Sequence, residues 1–241
     1  MELHEQLREY LDCQCRYFPA SAGEQTILDA YWDARKRGER GGFVPILIAA
    51  EDATLMECLN FLDGDSPEEY REKMLSAQVR NGGELFEELS EIRKAEAEED
   101  GFAWDEDLIG EMEGGEIVDR FAGISDFRGG TIPLLLAEIP VAHPWEIFAW
   151  LPFGGWNECP DTLELMAAAK WWYEKYGAVP AVMTHDVLEF SAPVPVNRES
   201  AMDLALEQYA FCPDIVDQGC RTIGALADGL SKTTTWFLWW D

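Results

Sequence analysis

Short apolar runs alternate with capped amphipathic segments along this chain, and that alternation limits its fold more than any other feature. Phe43 to Ala50, after Gly41-Gly42, is continuously apolar over the length of a buried strand. Pro45 within it points to an edge position or an irregular start. Thr131 to Ile139, Ala178 to Thr184, Val187 to Ser191 and Thr233 to Trp240 read as further strands, with a hairpin turn at His185-Asp186. Helices fall between them. Ser66-Pro67-Glu68-Glu69 is a helix start with a Ser cap, Pro in the first turn and acids near the positive end of the dipole. Asp161 with Glu164 forms a capping box ahead of the stripe Leu165, Ala169, Trp172 and Tyr176, which Gly177 ends. Ala53 to Leu62, Asn197 to Phe211, and a segment from Pro213 striped by Val216, Cys220, Ile223, Ala227 and Leu230 complete the helices, and the first forty residues read as helical too. The pattern predicts an α/β chain bordering on α+β: a mixed sheet with helices packed on it.

Charge divides the chain. Eighteen Lys and Arg face 47 Asp and Glu, a net charge of −29. That excludes a broad basic face for nucleic-acid phosphates or an anionic membrane. Residues 84–119 carry fifteen acids against Arg93 and Lys94 alone, close to half of the net charge. Leu85, Phe86, Leu89 and Ile92 give this stretch an amphipathic helical start, whereas the weaker pattern after Ala95 and Gly101, Gly110, Gly114 and Gly115 predict a mobile loop. Eight of ten tryptophans lie within 141–241. The expectation is one domain over 1–241: N-terminal helices and a first strand (1–83), an acidic helical and loop insertion (84–125), and an aromatic-rich core (126–241). Residues 1–6 lack a secretory pattern, and prolines and charges break the most apolar stretch, Thr131 to Trp150, so a cytoplasmic location is expected. The six cysteines read as reduced thiols. Cys13-Gln14-Cys15 lacks the C-x₂-C spacing of a zinc site, and no metal or cofactor is expected.

The most unusual stretch is Leu151-Pro-Phe-Gly-Gly-Trp-Asn-Glu-Cys-Pro160. Gly154 and Gly155 allow a tight turn or close approach to a ligand. Trp156, Asn157, Glu158 and Cys159 then lead into the Asp161 helix, whose N-terminus favours an anion and lowers the pKa of a nearby thiol. This segment, with Trp171…Tyr176-Gly-Ala178, Asp186-Val-Leu-Glu189, Glu207-Gln-Tyr-Ala-Phe-Cys-Pro-Asp214 and Phe237-Leu-Trp-Trp-Asp241, resembles the bacterial domain-of-unknown-function family numbered 4253. The resemblance covers about residues 126–241, with Gly42 to Leu47 as its first strand. It implies a bacterial, mostly intracellular α/β-type domain and no established activity.

Three functional classes fit these residues. The first is a non-catalytic binding protein, of the kind that neutralises basic proteins, drawing a basic protein partner by charge and holding it with aromatic side chains. The second is a hydrolase or acyl-transfer enzyme with Cys159 as nucleophile, His185 as base, and Asp186 or Asn157 in support. The third is a carboxylate site among Glu158, Asp186, Glu189, Glu207, Asp214 and Asp217. In each, the loop Gly154-Gly155-Trp156-Asn157-Glu158-Cys159 is expected to face Asp186, Glu189 and the block Glu207 to Asp214, which includes Tyr209. The binding role is preferred, because no catalytic set is complete in the sequence.

Overall fold

The computed structural model describes residues 1–241 apart from the side chains of Asp105 and Glu106. Its centre is a six-stranded sheet: β1 (Gln14–Phe18), β2 (Val44–Ala49), β3 (Leu134–Ile139), β4 (Val179–Met183), β5 (Val187–Ser191) and β6 (Thr235–Trp239). The spatial order is β1-β3-β2-β4-β5-β6. All neighbours are antiparallel except β2 and β4, which run side by side in parallel. Among the described residues, eight α-helices accompany the sheet: α1 (Leu3–Leu11), α2 (Glu24–Gly41), α3 (Ala53–Leu59), α4 (Pro67–Ser76), α5 (Gly82–Asp100), α6 (Thr162–Tyr176), α7 (Arg198–Phe211) and α8 (Ile223–Leu230). The fold is therefore a mixed α/β fold with helices packed on one sheet, as the alternation of patterns predicts.

Both faces of β2 are covered, which is why its sequence is apolar throughout rather than alternating. Ile46 and Ile48 enter the larger core, shared with residues of α1 and α3 to α8. Leu47 enters a smaller core with Ile27, Tyr31 and Ala34 of α2, closed by Phe121 and Ile124. Trp172 anchors the larger core. Its ring lies 5.3 to 6.1 Å from the rings of Phe86, Phe190, Phe211 and Trp236, mostly edge to face, the geometry that aromatic quadrupoles favour.

Four local expectations need correction. Pro45 is not on an edge strand: β2 is interior, but its pairing with β4 begins at Leu47, so the missing N–H of Pro45 interrupts no ladder there. The first forty residues are not wholly helical, since β1 pairs with β3 at the sheet edge. The acidic stretch does not loosen at Ala95. α5 continues to Asp100, capped by the Asn81 side chain at its start and by left-handed Gly101 at its end, with Leu85, Phe86 and Ala97 buried. Finally, the helix expected from Pro213 onward is broken. A π-helical turn (Ile215–Cys220) ends at Arg221, which adopts a left-handed conformation, and α8 starts afresh from a Thr222 cap. Gly224 and Gly229 of α8 pack closely on the backbone of residues 110–116. A Cβ at Gly224 would sit 2.3 Å from the Glu111 carbonyl oxygen.

Candidate functional site

The parallel pair β2 and β4 ends on the same side of the sheet, where a cleft of about 790 Å³ opens. Crevices beyond the carboxyl ends of parallel strands are the usual ligand positions in open α/β sheets. Beyond β2, Glu51 and Asp52 reach this cleft, and Asp52 also caps α3: one carboxylate oxygen accepts the Leu55 amide at 3.0 Å. The other accepts the His185 backbone amide at 3.1 Å and lies 2.8 Å from His185 Nδ1. A carboxylate can only accept, so Nδ1 carries the proton and donates. In the neutral ring Nε2 is then the acceptor, and among the described residues it has no protein partner.

The β4–β5 turn supplies the rest of the polar floor. Thr184 Oγ1 donates to Asp186 Oδ1 at 2.7 Å and accepts the Val187 amide at 3.0 Å. Asp186 Oδ2 accepts from Trp239 Nε1 at 3.1 Å. Glu51 accepts the Tyr17 hydroxyl at 2.8 Å. Ala49, Ile132, Pro133, Val187, Phe237 and Trp239 make the wall largely apolar, and among the described residues no Lys or Arg lines it. Ala122 and Gly123 form one rim. Their amides donate to the two carboxylate oxygens of Glu189, at 2.7 and 3.0 Å. Glu189 is fully buried between Val182 of β4 and Phe237 of β6. Burial pushes its carboxyl up to about 7 against the opposing pull of those two amides.

The residues expected to converge divide among four places. His185 and Asp186 line the cleft, and Glu189 lies beneath its rim. Glu158, Tyr209 and Asp214 line a separate cavity of about 750 Å³ between α5 and the Pro213–Arg221 segment. There Arg93 bridges Glu96 and Glu158 at 2.8 and 2.7 Å, and burial raises both Asp217 and Tyr209. Glu207 lies elsewhere, accepting the indole N–H groups of Trp171 and Trp172 at 2.9 and 3.0 Å and pairing with Lys175 at 2.7 Å.

The fourth place is the glycine loop itself, which acts as a clasp. A Cβ on Gly154 would lie 1.7 Å from the Pro160 carbonyl oxygen, and Gly155 holds φ at +85°. Left-handed Asn157 donates from Nδ2 to the Asp241 carbonyl at 2.8 Å, and Trp156 Nε1 bonds back to the Phe153 carbonyl at 3.0 Å. Phe153 meets the Trp240 ring at 5.6 Å, and Asp214 accepts the Asp241 amide at 3.0 Å. The loop and the block ending in Asp214 therefore come together on the chain after β6, with no open space above Gly154. Cys159 is buried, and burial pushes its thiol far up, which disfavours a nucleophilic thiolate. His185 lines the cleft and Cys159 does not, so the two do not face a common cavity.

Asp52 is the site residue that sequence reading missed. It lies 133 positions from His185. The available signal was an acid between a strand and a helix start, a position that serves equally well as a plain cap. Among the described residues, no group of three or more His, Cys, Asp or Glu is arranged to hold a metal, and no helix is long and apolar enough to cross a membrane.

Fold and cleft together define a mixed α/β protein with an acid-lined crevice at the ends of the parallel strand pair β2 and β4. Within it, residues 135–241 match the family described as Domain of unknown function (DUF4253). The match starts inside β3 and takes in β4 to β6 and α6 to α8, so it contains His185 and Asp186 but not Asp52. No curated protein and no solved structure matches the chain.

Proposed function

We propose that this protein binds a small molecule in the cleft at the ends of β2 and β4, one with an apolar body and a cationic or hydrogen-bond-donating head. The observation that carries this reading is His185, fixed through Nδ1 by Asp52 and, among the described residues, without a partner at its other nitrogen, lining a cavity of about 790 Å³ walled by Phe237 and Trp239. Binding sites combine an apolar wall with a few oriented polar groups in this way. Glu51, Asp52 and Asp186 with no lining Lys or Arg disfavour an anionic head. The test uses phenethylamine, phenethyl alcohol and phenylacetate, probes that share one body and differ in charge. The amine should shift the Trp239 indole and His185 ring resonances at the lowest concentration. Shifts led by phenylacetate, or none at these two residues with any probe, would overturn the reading.

The oriented imidazole also favours a second reading, in which His185 moves a proton for a bound ester or amide. Turnover of p-nitrophenyl acetate above the buffer rate, lost in His185→Asn, would support it. The same rate in both proteins would remove it.

A further inference from the structure

Outside the cleft, the edge strand β1 begins with two cysteines whose sulfurs lie 3.8 Å apart, Cys13 and Cys15. Residues two apart on a strand project to the same side. Cys13 precedes the strand, in a bend directly after left-handed Asp12, and that bend brings its sulfur onto that of Cys15. Both thiols are partly exposed, whereas Cys159 and Cys212 are buried.

A second observation points to negative charge at this place. Arg71 is buried, yet its partners are the Tyr10 carbonyl and the faces of the Tyr10 and Trp150 rings rather than a carboxylate. Its Nε has no hydrogen-bond partner among the described residues. A buried guanidinium without a counter-charge is costly. Its field acts on Cys13, where the Glu138 backbone also favours the thiolate, while at Cys15 the field of Arg8 is opposed by the Glu138 carboxylate on β3. Glu138 is itself held by Arg37 at 2.6 Å. The hydrogen bond from Cys13 holds the Cys15 thiol below the usual range, helped by Arg8 and resisted by burial; the same bond and burial push Cys13 up. One thiolate stabilised by the remaining S–H is the resting arrangement expected of such a pair.

We propose that Cys13 and Cys15 form a thiol–disulfide exchange site whose substrate class is a low-molecular-weight disulfide. The Cys15 thiolate attacks one sulfur of the small disulfide, forms a mixed disulfide and expels one small thiolate. Cys13 then gives up its proton to solvent and attacks the Cys15 sulfur, breaking the mixed disulfide and releasing the second small thiolate. Two protein thiols are oxidised by two electrons to one disulfide, and the small disulfide is reduced to two thiols that take up the two protons. Closure requires the sulfurs to move from 3.8 Å to bonding distance, about 2.05 Å, with Cys13 in a bend outside the ladder and Cys15 paired with Ala137 within it. Both sulfurs pack against the margin of the larger core but belong to partly exposed residues, which leaves them open to a small disulfide.

The test treats the fully reduced, full-length chain with oxidised glutathione, quenches with acid, and alkylates the remaining thiols before mass analysis. The expected product carries four alkyl groups where the fully reduced chain carries six, with the link between Cys13 and Cys15 and no bound glutathione. It should form about tenfold or more faster than any adduct at Cys58 or Cys220, in line with the greater thiolate fraction. Cys13→Ser should stop at a stable glutathione adduct on Cys15, and Arg8→Gln, a surface change, should slow the first step several-fold. Glutathione left on the wild-type pair without closure, or first reaction at another cysteine, would overturn the proposal.

Discussion

Glu189 offers the sharpest test of how the cleft is built. Its carboxylate is fully buried, its neighbours across the sheet are Val182 and Phe237, and the amides of Ala122 and Gly123 are its hydrogen-bond donors. Two effects compete. Desolvation opposes ionisation, while two amides aimed at the oxygens favour it. No cation contributes, and burial wins, moving the group from an ordinary 4.5 to about 7. The folded chain therefore holds this proton more tightly than the unfolded chain does. The resulting stabilisation is fully present below about pH 4.5, is lost as pH rises through about 7, and amounts to about 3 kcal/mol over that window. Many carboxylates titrate in this chain, so the quantity to measure is a difference. Glu189→Gln keeps the size but has no proton to lose. Its amide satisfies one backbone N–H and faces the other, a pH-independent cost of about 1–3 kcal/mol. Urea unfolding followed by tryptophan fluorescence, from about pH 5 to about pH 8.5 at fixed ionic strength, gives both stabilities. The advantage of wild type over Glu189→Gln should shrink by about 3 kcal/mol as pH rises. Parallel curves would show that Glu189 does not titrate in this window. Such parallel curves are what two amides that match or outweigh burial would give, since a group ionised in both states above about pH 5 contributes no slope, and the reasoning would fail.

Other consequences follow from single contacts. Gly154→Ala drives a methyl into the Pro160 carbonyl and should cost at least about 3 kcal/mol, read as a lower urea midpoint at unchanged slope; a loss below about 1 kcal/mol would mean the clasp yields easily. Trp172→Ala removes the ring that joins Phe86, Phe190, Phe211 and Trp236 and should cost about 3–5 kcal/mol in the same assay. Glu207→Ala leaves the N–H groups of Trp171 and Trp172 without their acceptor, and should lower stability by about 1–3 kcal/mol for each that water does not reach. Asp52→Asn keeps an oxygen for the α3 cap but replaces the acceptor at His185. Long-range ¹H–¹⁵N spectra should show the Nδ1–H tautomer in wild type and the Nε2–H tautomer in the variant, and Nε2–H in wild type would contradict the orientation given to the ring.

Local chemistry made much of the fold legible. The Ser66 and Asp161 caps, the Gly177 stop and the apolar run of β2 each act within a few residues, and a sequence displays them directly. β1 was hidden because Gln14 to Phe18 is a partly exposed edge strand whose only ladder is β3, far along the chain. α5 was cut short because its last turn is buried through Ala97 alone, a signal too small for a periodicity to show. At the site, His185 and Asp186 stood out because few polar side chains interrupt the apolar run of the hairpin. Asp52 did not, because its partner is set by the parallel alignment of β2 with β4, which no local pattern encodes. The glycine loop was prominent for a different reason than a ligand. Its rare residues satisfy a tight turn and a clasp on the chain just after the last strand, and tight backbone packing demands the same residue types as close ligand approach.

The acidic stretch then takes on a different physical meaning. Helix α5 carries much of the charge on its outer side, but its inner side stacks Phe86 on Trp172 and lets Gly82 approach the Trp171 Cβ closely. Arg93 on the same helix reaches Glu158 in the glycine loop. Farther along, Gly115 donates to Asp228 at 2.9 Å, Asp119 receives the Thr234 amide at 2.7 Å, and Ala122 and Gly123 close over Glu189. Residues 84–125 thus wrap the region that matches the family and supply one rim of its cleft, while β2 and Asp52 supply another side. A segment that contributes core aromatics, a rim and backbone partners cannot be an independent acidic appendage, because removing it would expose Trp172 and leave Glu189 buried without donors or open to water. The site belongs to the whole sheet: β4 and β5 present His185 and Asp186, and the preceding segments orient the first and roof the second's neighbour, Glu189.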